Sequence, residues 1–321
     1  MKNLQRNTSL DLMRWICAFL VVVIHVPIVG AHFIMPITRI AVPFFFMITG
    51  YYLYSSSNVI LGERLLQSSK KWGGYYLCFT LILLIVKTVI ESLLKTTSVF
   101  TMKDLQAIVI SGVCEYLDVL TTPEGKFGIS TMWFLYCGTI AMLLFYIIRK
   151  WLFNQITMRI IGIVSLFSIA VNYISDVPVV PRILFQSVPF LYLGMVIHRY
   201  EKNIKERLTW DTTFIIIGVI LSIVTLYTER FLFPQTEEIY LSTPVLATSL
   251  FVFCIKYPHI EVKCISRLPV KVTMDIYVWH RLIYALLVLF VYDFQPFSAL
   301  VVFMMCVVIF SSYRILKRNF K

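Results

Sequence analysis

Ten apolar segments, each near the length of a membrane-spanning helix, follow one another along this chain of 321 residues. A helix needs about 20 apolar residues to cross the hydrocarbon layer of a bilayer. A soluble domain of this length carries far more polar residues than this chain, in which 59% are hydrophobic and 14% are charged. The pattern therefore predicts an all-α, polytopic membrane protein with spans near residues 10–29, 40–56, 73–91, 131–148, 160–175, 182–197, 211–228, 239–255, 272–291 and 297–313.

The lysines and arginines are distributed unevenly between the connections. If the N-terminus is cytoplasmic, 20 of the 29 basic residues lie in cytoplasmic segments and six lie in segments on the other side. Membrane proteins keep an excess of basic residues in their cytoplasmic loops. Both termini are therefore predicted to be cytoplasmic, and the net charge of +12 is explained by topology rather than by nucleic-acid binding.

The chain shows no internal repeat, linker or low-complexity tract, so residues 1–321 are expected to form one transmembrane domain with no appended soluble domain. Its seven cysteines are scattered and include no CxxC pair, so neither a metal site nor a disulfide framework is expected. The longest outer connection, roughly 92–130, is predicted to form an amphipathic interfacial helix. This helix would either cover the bundle or form one wall of an acceptor cleft.

The first apolar segment carries two residues that are costly in hydrocarbon, Arg14 and His25. Eleven helical steps of about 100° bring both residues to within about 20° of one face, roughly 16 Å apart along the axis. The structural alternatives are an interfacial Arg14 paired with Asp11 and a buried His25 bonded to a backbone carbonyl. A neutral imidazole can instead take a proton from a hydroxyl group near pH 7, so Arg14 and His25 are candidate catalytic residues.

Further polar side chains accompany the later segments. The segment GERLLQSSKKW is predicted as a cytoplasmic loop, and its basic residues could hold the phosphates of a nucleotide-like cofactor, although topology alone also predicts basic residues there. The second span, RIAVPFFFMITGYYLYSSS, is interrupted by Pro43 and Gly50, which indicates a bent helix with a polar aromatic side or a simple packing kink. The phosphate-binding candidates are Arg64, Lys70 and Lys71; the candidates for lining a substrate path are Arg39, Tyr51, Tyr52, Trp133, Tyr136, His280 and Arg281.

Several of these motifs together resemble the acyltransferase 3 family of bacterial integral-membrane acyltransferases. They are an arginine and a histidine separated by ten residues, RIAVPFFFMITGYYL at 39–53, the basic segment after it, WFLY at 133–136 and IYVWH at 276–280. The resemblance covers essentially the whole chain and is strongest for the stand-alone O-acetyltransferases of surface polysaccharides. The family often has a denser set of arginines in the basic segment than this chain has. The segment RIAVPFFFMITGYY also resembles the membrane domain of vancomycin-resistance serine racemases.

The resemblance implies a multi-pass enzyme of the bacterial inner membrane, surrounded by lipid. It would move an acetyl group from cytoplasmic acetyl-CoA, its cosubstrate, to a hydroxyl of an extracytoplasmic glycan or lipid-linked saccharide. His25 would act as general base or as transient acetyl carrier, and Arg14 would orient the donor or stabilise developing negative charge. The alternative from another class is a transporter or flippase of a small acyl or serine-like substrate without covalent chemistry. A weaker alternative is a subunit that passes acetyl groups to a separate enzyme.

Overall fold

The chain folds into a bundle of helices. The computed structural model of the protein describes residues 6–95, 110, 133–171, 179–207, 212–233, 240–290 and 297–319, and these ranges contain helices and no strand. The all-α prediction is therefore confirmed for this part of the chain. The helices are α1 (Thr8–His25), α2 (Ala31–Thr38), α3 (Ala41–Leu53), α4 (Asn58–Lys95), α5 (Trp133–Ile148), α6 (Gln155–Val171), α7 (Val179–Arg199), α8 (Glu201–Arg207), α9 (Thr212–Leu232), α10 (Ser242–Lys256), α11 (Lys263–Ser266), α12 (Val272–Phe290) and α13 (Ser298–Asn319).

Each of the ten predicted spans falls on one of these helices. By length and composition, four stretches of the described residues can cross a membrane: Thr8–His25, Ala31–Leu53, Thr213–Leu232 and Ser298–Lys317. That all ten helices cross, and that both termini are cytoplasmic, stay predictions. The amphipathic helix predicted within 92–130 lies outside the described residues, apart from the end of α4 and Ile110.

The start of the long helix α4 corrects one prediction. The segment GERLLQSSKKW, expected as a loop, is part of a helix of 38 residues that begins at Asn58 rather than at residue 73. Leu, Arg, Gln, Lys and Glu are good helix formers, so the helix extends past the apolar segment. Basic residues in this segment are therefore held on a rigid element with a fixed angular spacing.

Large apolar side chains cover the outside of α6, α9 and α13. Leu166 on α6 is 72% exposed, Phe231 on α9 is 85% exposed and Val308 on α13 is 60% exposed. Apolar surface of this extent is unfavourable in water and is typical of a surface that meets lipid chains. The exposed apolar side chains agree with the long apolar helices in indicating a membrane protein.

Helices α3 and α7 cross with their backbones in close contact. A Cβ atom added to Gly50 would lie 1.9 Å from the carbonyl oxygen of Leu191, and one added to Gly194 would lie 2.0 Å from that of Met47. Glycine at both positions leaves room for the crossing, as small residues do between membrane helices. The crossing fixes the end of α3, where the two tyrosines that follow Gly50 lie.

The start of α1 is anchored by side-chain hydrogen bonds. The side-chain oxygen of Asn7 accepts from the backbone N–H of Leu10 at 2.9 Å, and the Asn7 amide donates to the carbonyl of Cys254 at 3.0 Å. The hydroxyl of Thr8 donates to the carbonyl of Pro258 at 3.1 Å. Such a cap satisfies backbone donors of the first turn. It also attaches α1 to the end of α10, so the first turns of α1 have a defined position.

Helices α12 and α13 pack against the other end of α1. An apolar cluster that includes Val22, Ile276 and Val302 joins the three helices. Asp275 on α12 accepts two hydrogen bonds from Arg314 on α13, at 2.6 and 2.8 Å. Bidentate arginine–carboxylate pairs fix orientation as well as distance. The packing therefore holds one face of α12 against α1.

Candidate active site

A cavity of about 850 Å³ opens between α1, α3, α4 and α12. We call the end of the bundle where it lies the Arg14 end, and the opposite end of α1 the His25 end. The charged residues along the wall of the cavity are five bases and one acid, Asp11. A cleft lined mainly by positive charge attracts anionic ligands. The five basic residues are Arg6, Arg14, Arg64, Lys71 and Lys271.

A buried carboxylate holds Arg14 in the cavity wall. Asp11 accepts from Nε of Arg6 at 2.6 Å and from Nη1 of Arg14 at 3.1 Å. The guanidinium carbon of Arg14 also lies 4.9 Å from the ring centroid of Tyr52, in a cation–π contact. The ion pair with Asp11, which the sequence suggested as a structural role for Arg14, is therefore present. Arg14 also lines the cavity.

One face of α4 forms another wall of the cavity. The lining residues of α4 recur at spacings of three and four residues from Arg64, at positions i, i+3, i+4, i+7, i+8 and i+11, and are Arg64, Gln67, Ser68, Lys71, Trp72 and Tyr75. Residues at these spacings lie on the same face of a helix. Lys70, which precedes Lys71, is rotated from it by about 100° around the helix axis and lies outside that face.

A hydrogen-bonded chain connects α3 to α8 beside the cavity. The hydroxyl of Tyr51 donates to Oε2 of Glu201 at 2.8 Å, and Nζ of Lys205 donates to Oε1 at 2.5 Å. Burial alone raises the pKa of Glu201, but the hydrogen bonds from Lys205 and Tyr51 and the positive charge of Lys205 outweigh it, so this pKa lies below its ordinary value. Nδ1 of His198 donates to the backbone carbonyl of Tyr51 at 2.6 Å, which further fixes the cavity wall.

Three aromatic side chains lie at the inner end of the cavity. Phe45 and Tyr277 line it farther along their helices from the Arg14 end than the other lining residues of α3 and α12. The Phe134 ring lies 6.1 Å from that of Phe45 and 5.2 Å from that of Tyr277. These apolar rings separate the basic part of the cavity from the interior of the bundle.

Two histidines meet at the His25 end. The ring of His280, one turn beyond Tyr277 on α12, stacks on the ring of His25 with centroids 5.4 Å apart and planes 29° apart. His280 is fully buried, whereas His25 is half-buried. Arg39 and Arg281 lie near enough to His25 to interact with it electrostatically. Two imidazoles and two guanidiniums therefore form a second polar group, away from the cavity.

The structure thus divides the residues selected from the sequence into two groups. Arg14, Tyr51, Tyr52, Arg64 and Lys71 line the cavity. The histidines 25 and 280 and the arginines 39 and 281 lie together at the His25 end. His25 does not line the described cavity.

Three selected residues lie in neither group. Lys70 is exposed on α4, outside the lining of the cavity. Trp133 and Tyr136 on α5 pack against the apolar core, and the ring of Tyr136 lies 5.3 Å from that of Tyr76. Neither aromatic residue lines the described cavity.

The cavity also contains residues that sequence reasoning did not select. Arg6 and Lys271 come from connections whose basic residues were explained by topology alone. Trp72, the last residue of the basic segment on α4, and Tyr75, which follows that segment, also line the cavity. Continuing the helix through that segment would have placed Tyr75 one turn after Lys71 on the same face.

Comparisons with known proteins identify the family to which the chain belongs. A serine/alanine racemase from Enterococcus gallinarum is 26% identical over 290 residues, which cover 79% of this chain and 38% of the racemase. The chain therefore spans less than half the length of that relative, and the likeness gives no support to the transport alternative. No solved structure matches the chain significantly. The acyltransferase domain family matches residues 7–316, nearly the whole chain. The protein therefore belongs to the acyltransferase 3 family, a family of membrane acyltransferases.

Proposed function

We propose that the protein is a bacterial inner-membrane O-acetyltransferase. It takes an acetyl group from acetyl-CoA at the Arg14 end, which faces the cytoplasm, and transfers it to a hydroxyl of a glycan or lipid-linked saccharide at the His25 end. The observation that supports this proposal most directly is the basic cavity at one end of α1 and the histidine pair at the other, in a chain of acyltransferase 3 type.

The cavity suits the donor in size and charge. Its volume of about 850 Å³ lies within the range of about 300–1,000 Å³ that is usual for small-molecule sites. Arg14, Arg64 and Lys71 lie on two of its walls, where guanidinium and ammonium groups can bind the phosphates of CoA. Trp72 and Tyr75 offer aromatic faces to the adenine ring. Asp11 holds Arg14 in place, and Arg14 in turn orients the donor.

The histidine pair supplies the base. The acceptor hydroxyl gives its proton to a bare ring nitrogen of His25 while its oxygen attacks the carbonyl carbon of the thioester. The new C–O bond forms, the C–S bond breaks, and His25 passes the proton on to the departing thiolate, which leaves as the CoA thiol. Arg39 and Arg281, near His25, stabilise the negative charge that develops on the carbonyl oxygen.

Transfer by purified protein tests the proposal. Wild-type protein in liposomes is given radiolabelled acetyl-CoA and a panel of methyl glycosides, and labelled glycoside is measured. His25→Ala is expected to lose transfer, whereas His32→Ala, which changes an exposed histidine, keeps it. Full transfer by His25→Ala removes the assigned base. Uptake of a solute into the vesicles, with no label on any hydroxyl, refutes the enzyme in favour of transport.

Mass spectrometry of the protein distinguishes the two roles of His25. In the absence of acceptor, a general base leaves the protein unlabelled by acetyl-CoA, which is the expected result. A stoichiometric acetyl group on His25 under these conditions identifies it as a carrier instead.

A further inference from the structure

The hydrogen bonds of His280 define its tautomer. Its Nδ1 atom lies 3.0 Å from the carbonyl oxygen of Ile276 and 2.8 Å from that of Tyr277. Carbonyl oxygens only accept hydrogen bonds, so Nδ1 carries the proton. The neutral ring then has a bare lone pair on Nε2. Both carbonyls belong to the preceding turn of α12, so the ring is held by its own helix.

The Nε2 atom of His280 is buried and lacks a hydrogen-bond partner among the described residues. A buried acceptor without a partner carries a free-energy penalty, and most buried polar groups avoid it. The face of the ring meets His25, at a centroid distance of 5.4 Å. The lone pair of Nε2 lies in the plane of its ring, beside this contact, where a turn of the His25 ring can bring a ring N–H to it.

We propose that His280 is a positioning residue that orients His25 and stabilises its protonated form, an inference that rests on the proposed function. In the structure the rings are stacked, and Nε2 of His280 has no hydrogen-bond partner among the described residues. In the reactive arrangement the His25 ring turns about its side-chain bonds, so that its N–H points at the lone pair of Nε2 and the other His25 nitrogen stays bare and directed at the acceptor hydroxyl. In many enzymes a third group holds the catalytic base in one tautomer and orientation in the same way. Here a neutral imidazole holds the base.

The role of His280 is defined by the proton balance. When the acceptor hydroxyl gives its proton to His25, both His25 nitrogens carry hydrogen and the ring becomes cationic. The hydrogen bond to His280 becomes charge-assisted and stronger at this point, so it favours the transition state over the ground state. The proton then passes from His25 to the departing thiolate, and His280 keeps its Nδ1 proton throughout.

Replacing His280 tests this role through kinetics. Gln keeps a side-chain acceptor near the position of Nε2, whereas Phe keeps a ring of similar size without one. His280→Phe is expected to lower kcat by about 10²-fold, within the range for general-base catalysis, with little change in the KM for acetyl-CoA. His280→Gln is expected to recover most of kcat. His32→Phe makes the same replacement at an exposed histidine and is expected to leave kcat unchanged.

The tautomer gives a readout that does not depend on activity. Nitrogen-15 NMR of histidine-labelled protein in lipid is expected to show a neutral ring protonated at Nδ1, with a signal that disappears in His280→Gln. A His280 ring protonated at Nε2 overturns the inference, because that nitrogen is then unable to accept. This measurement on wild-type protein also decides the matter where His280→Phe does not fold.

The kinetic outcomes separate the two proposals. Wild-type transfer together with an unchanged kcat in His280→Phe refutes the role of His280 and leaves the proposed function intact. Equal losses in His280→Phe and His280→Gln also refute it, since the acceptor is then irrelevant. Wild-type protein that transfers no acetyl group refutes the proposed function itself.

Discussion

Replacing Gly50 with alanine is expected to force α3 and α7 apart. Ordinary van der Waals contact begins at 3.4 Å, so a Cβ atom 1.9 Å from the carbonyl oxygen of Leu191 is 1.5 Å too close. The neighbouring atoms belong to the backbone, so no side chain can rotate away. Overpacking costs about 1–3 kcal/mol, and the upper end applies here. Alanine recovers up to about 1 kcal/mol of helix propensity, so the free energy of unfolding is expected to fall by about 2 kcal/mol.

Unfolding of the purified protein in mixed micelles measures this difference. Helix loss is followed by circular dichroism as the fraction of a denaturing detergent is raised. Gly162→Ala is the matched control, because a Cβ atom there meets nothing within 4 Å. Gly194→Ala is expected to destabilise as Gly50→Ala does, because its Cβ atom would lie 2.0 Å from the carbonyl of Met47.

The double variant refines the test. Once the first methyl group has separated the helices, the second meets less resistance, so Gly50→Ala with Gly194→Ala is expected to cost less than the sum of the two. If Gly50→Ala is as stable as Gly162→Ala, the close approach of α3 and α7 is not present in the membrane, and the reasoning is refuted.

Three further predictions concern the cavity and its surroundings. Lys71→Ala is expected to raise the KM for acetyl-CoA roughly tenfold, as the loss of one charged contact does, whereas Lys70→Ala leaves it unchanged; equal effects would contradict a phosphate site on one face of α4. Asp11→Asn removes the charge that holds Arg14 and is expected to lower the free energy of unfolding by about 1–3 kcal/mol, measured in the same micelles; an unchanged value would show that the pair contributes nothing. The lowered pKa of Glu201 makes its contribution to stability present above the ordinary value of 4.5 and lost as the pH falls through the folded value. The melting temperature of Glu201→Gln is therefore expected to lie below that of wild type at neutral pH and to approach it in strong acid; a constant difference would exclude this carboxylate as the cause.

Hydropathy predicts the helices well and their ends less well. The apolar content of each predicted span is enough to place a helix, because an apolar run of this length is stable in lipid only when its backbone groups bond internally. The beginning of α4 was missed because the segment that contains Arg64 and Lys71 is polar, and hydropathy does not distinguish a polar helix from a loop. The correct helix would also have separated Lys70 from Lys71, which lie about 100° apart around the axis.

Arg14 and His25 can be selected from the sequence because helical geometry within a single segment places them on one face. The partners of these residues depend on tertiary packing. His25 meets His280 because α1 packs against α12, and 254 positions separate the two histidines in the chain. No local pattern predicts that contact. The sequence alternative of a histidine bonded to a backbone carbonyl was proposed for His25, and the structure has this arrangement at His280.

Helix α12 carries a residue of the cavity and a residue of the histidine pair, and the path between the two sites is short along this helix. Tyr277 lies at the inner end of the cavity and His280 lies three residues further on, a rise of about 4.5 Å along the axis. Arg14 and His25, by contrast, are about 16 Å apart along α1. A donor bound with its phosphates at the basic wall and its acyl group at Tyr277 thus needs to approach the histidine pair by about one helical turn. The rings of Phe45 and Phe134 lie at this point and keep it apolar, which protects a thioester from water while the acyl group waits for its acceptor. On the proposed function, therefore, the phosphates of the donor stay at the basic wall, and its thioester end passes the aromatic side chains to reach His25.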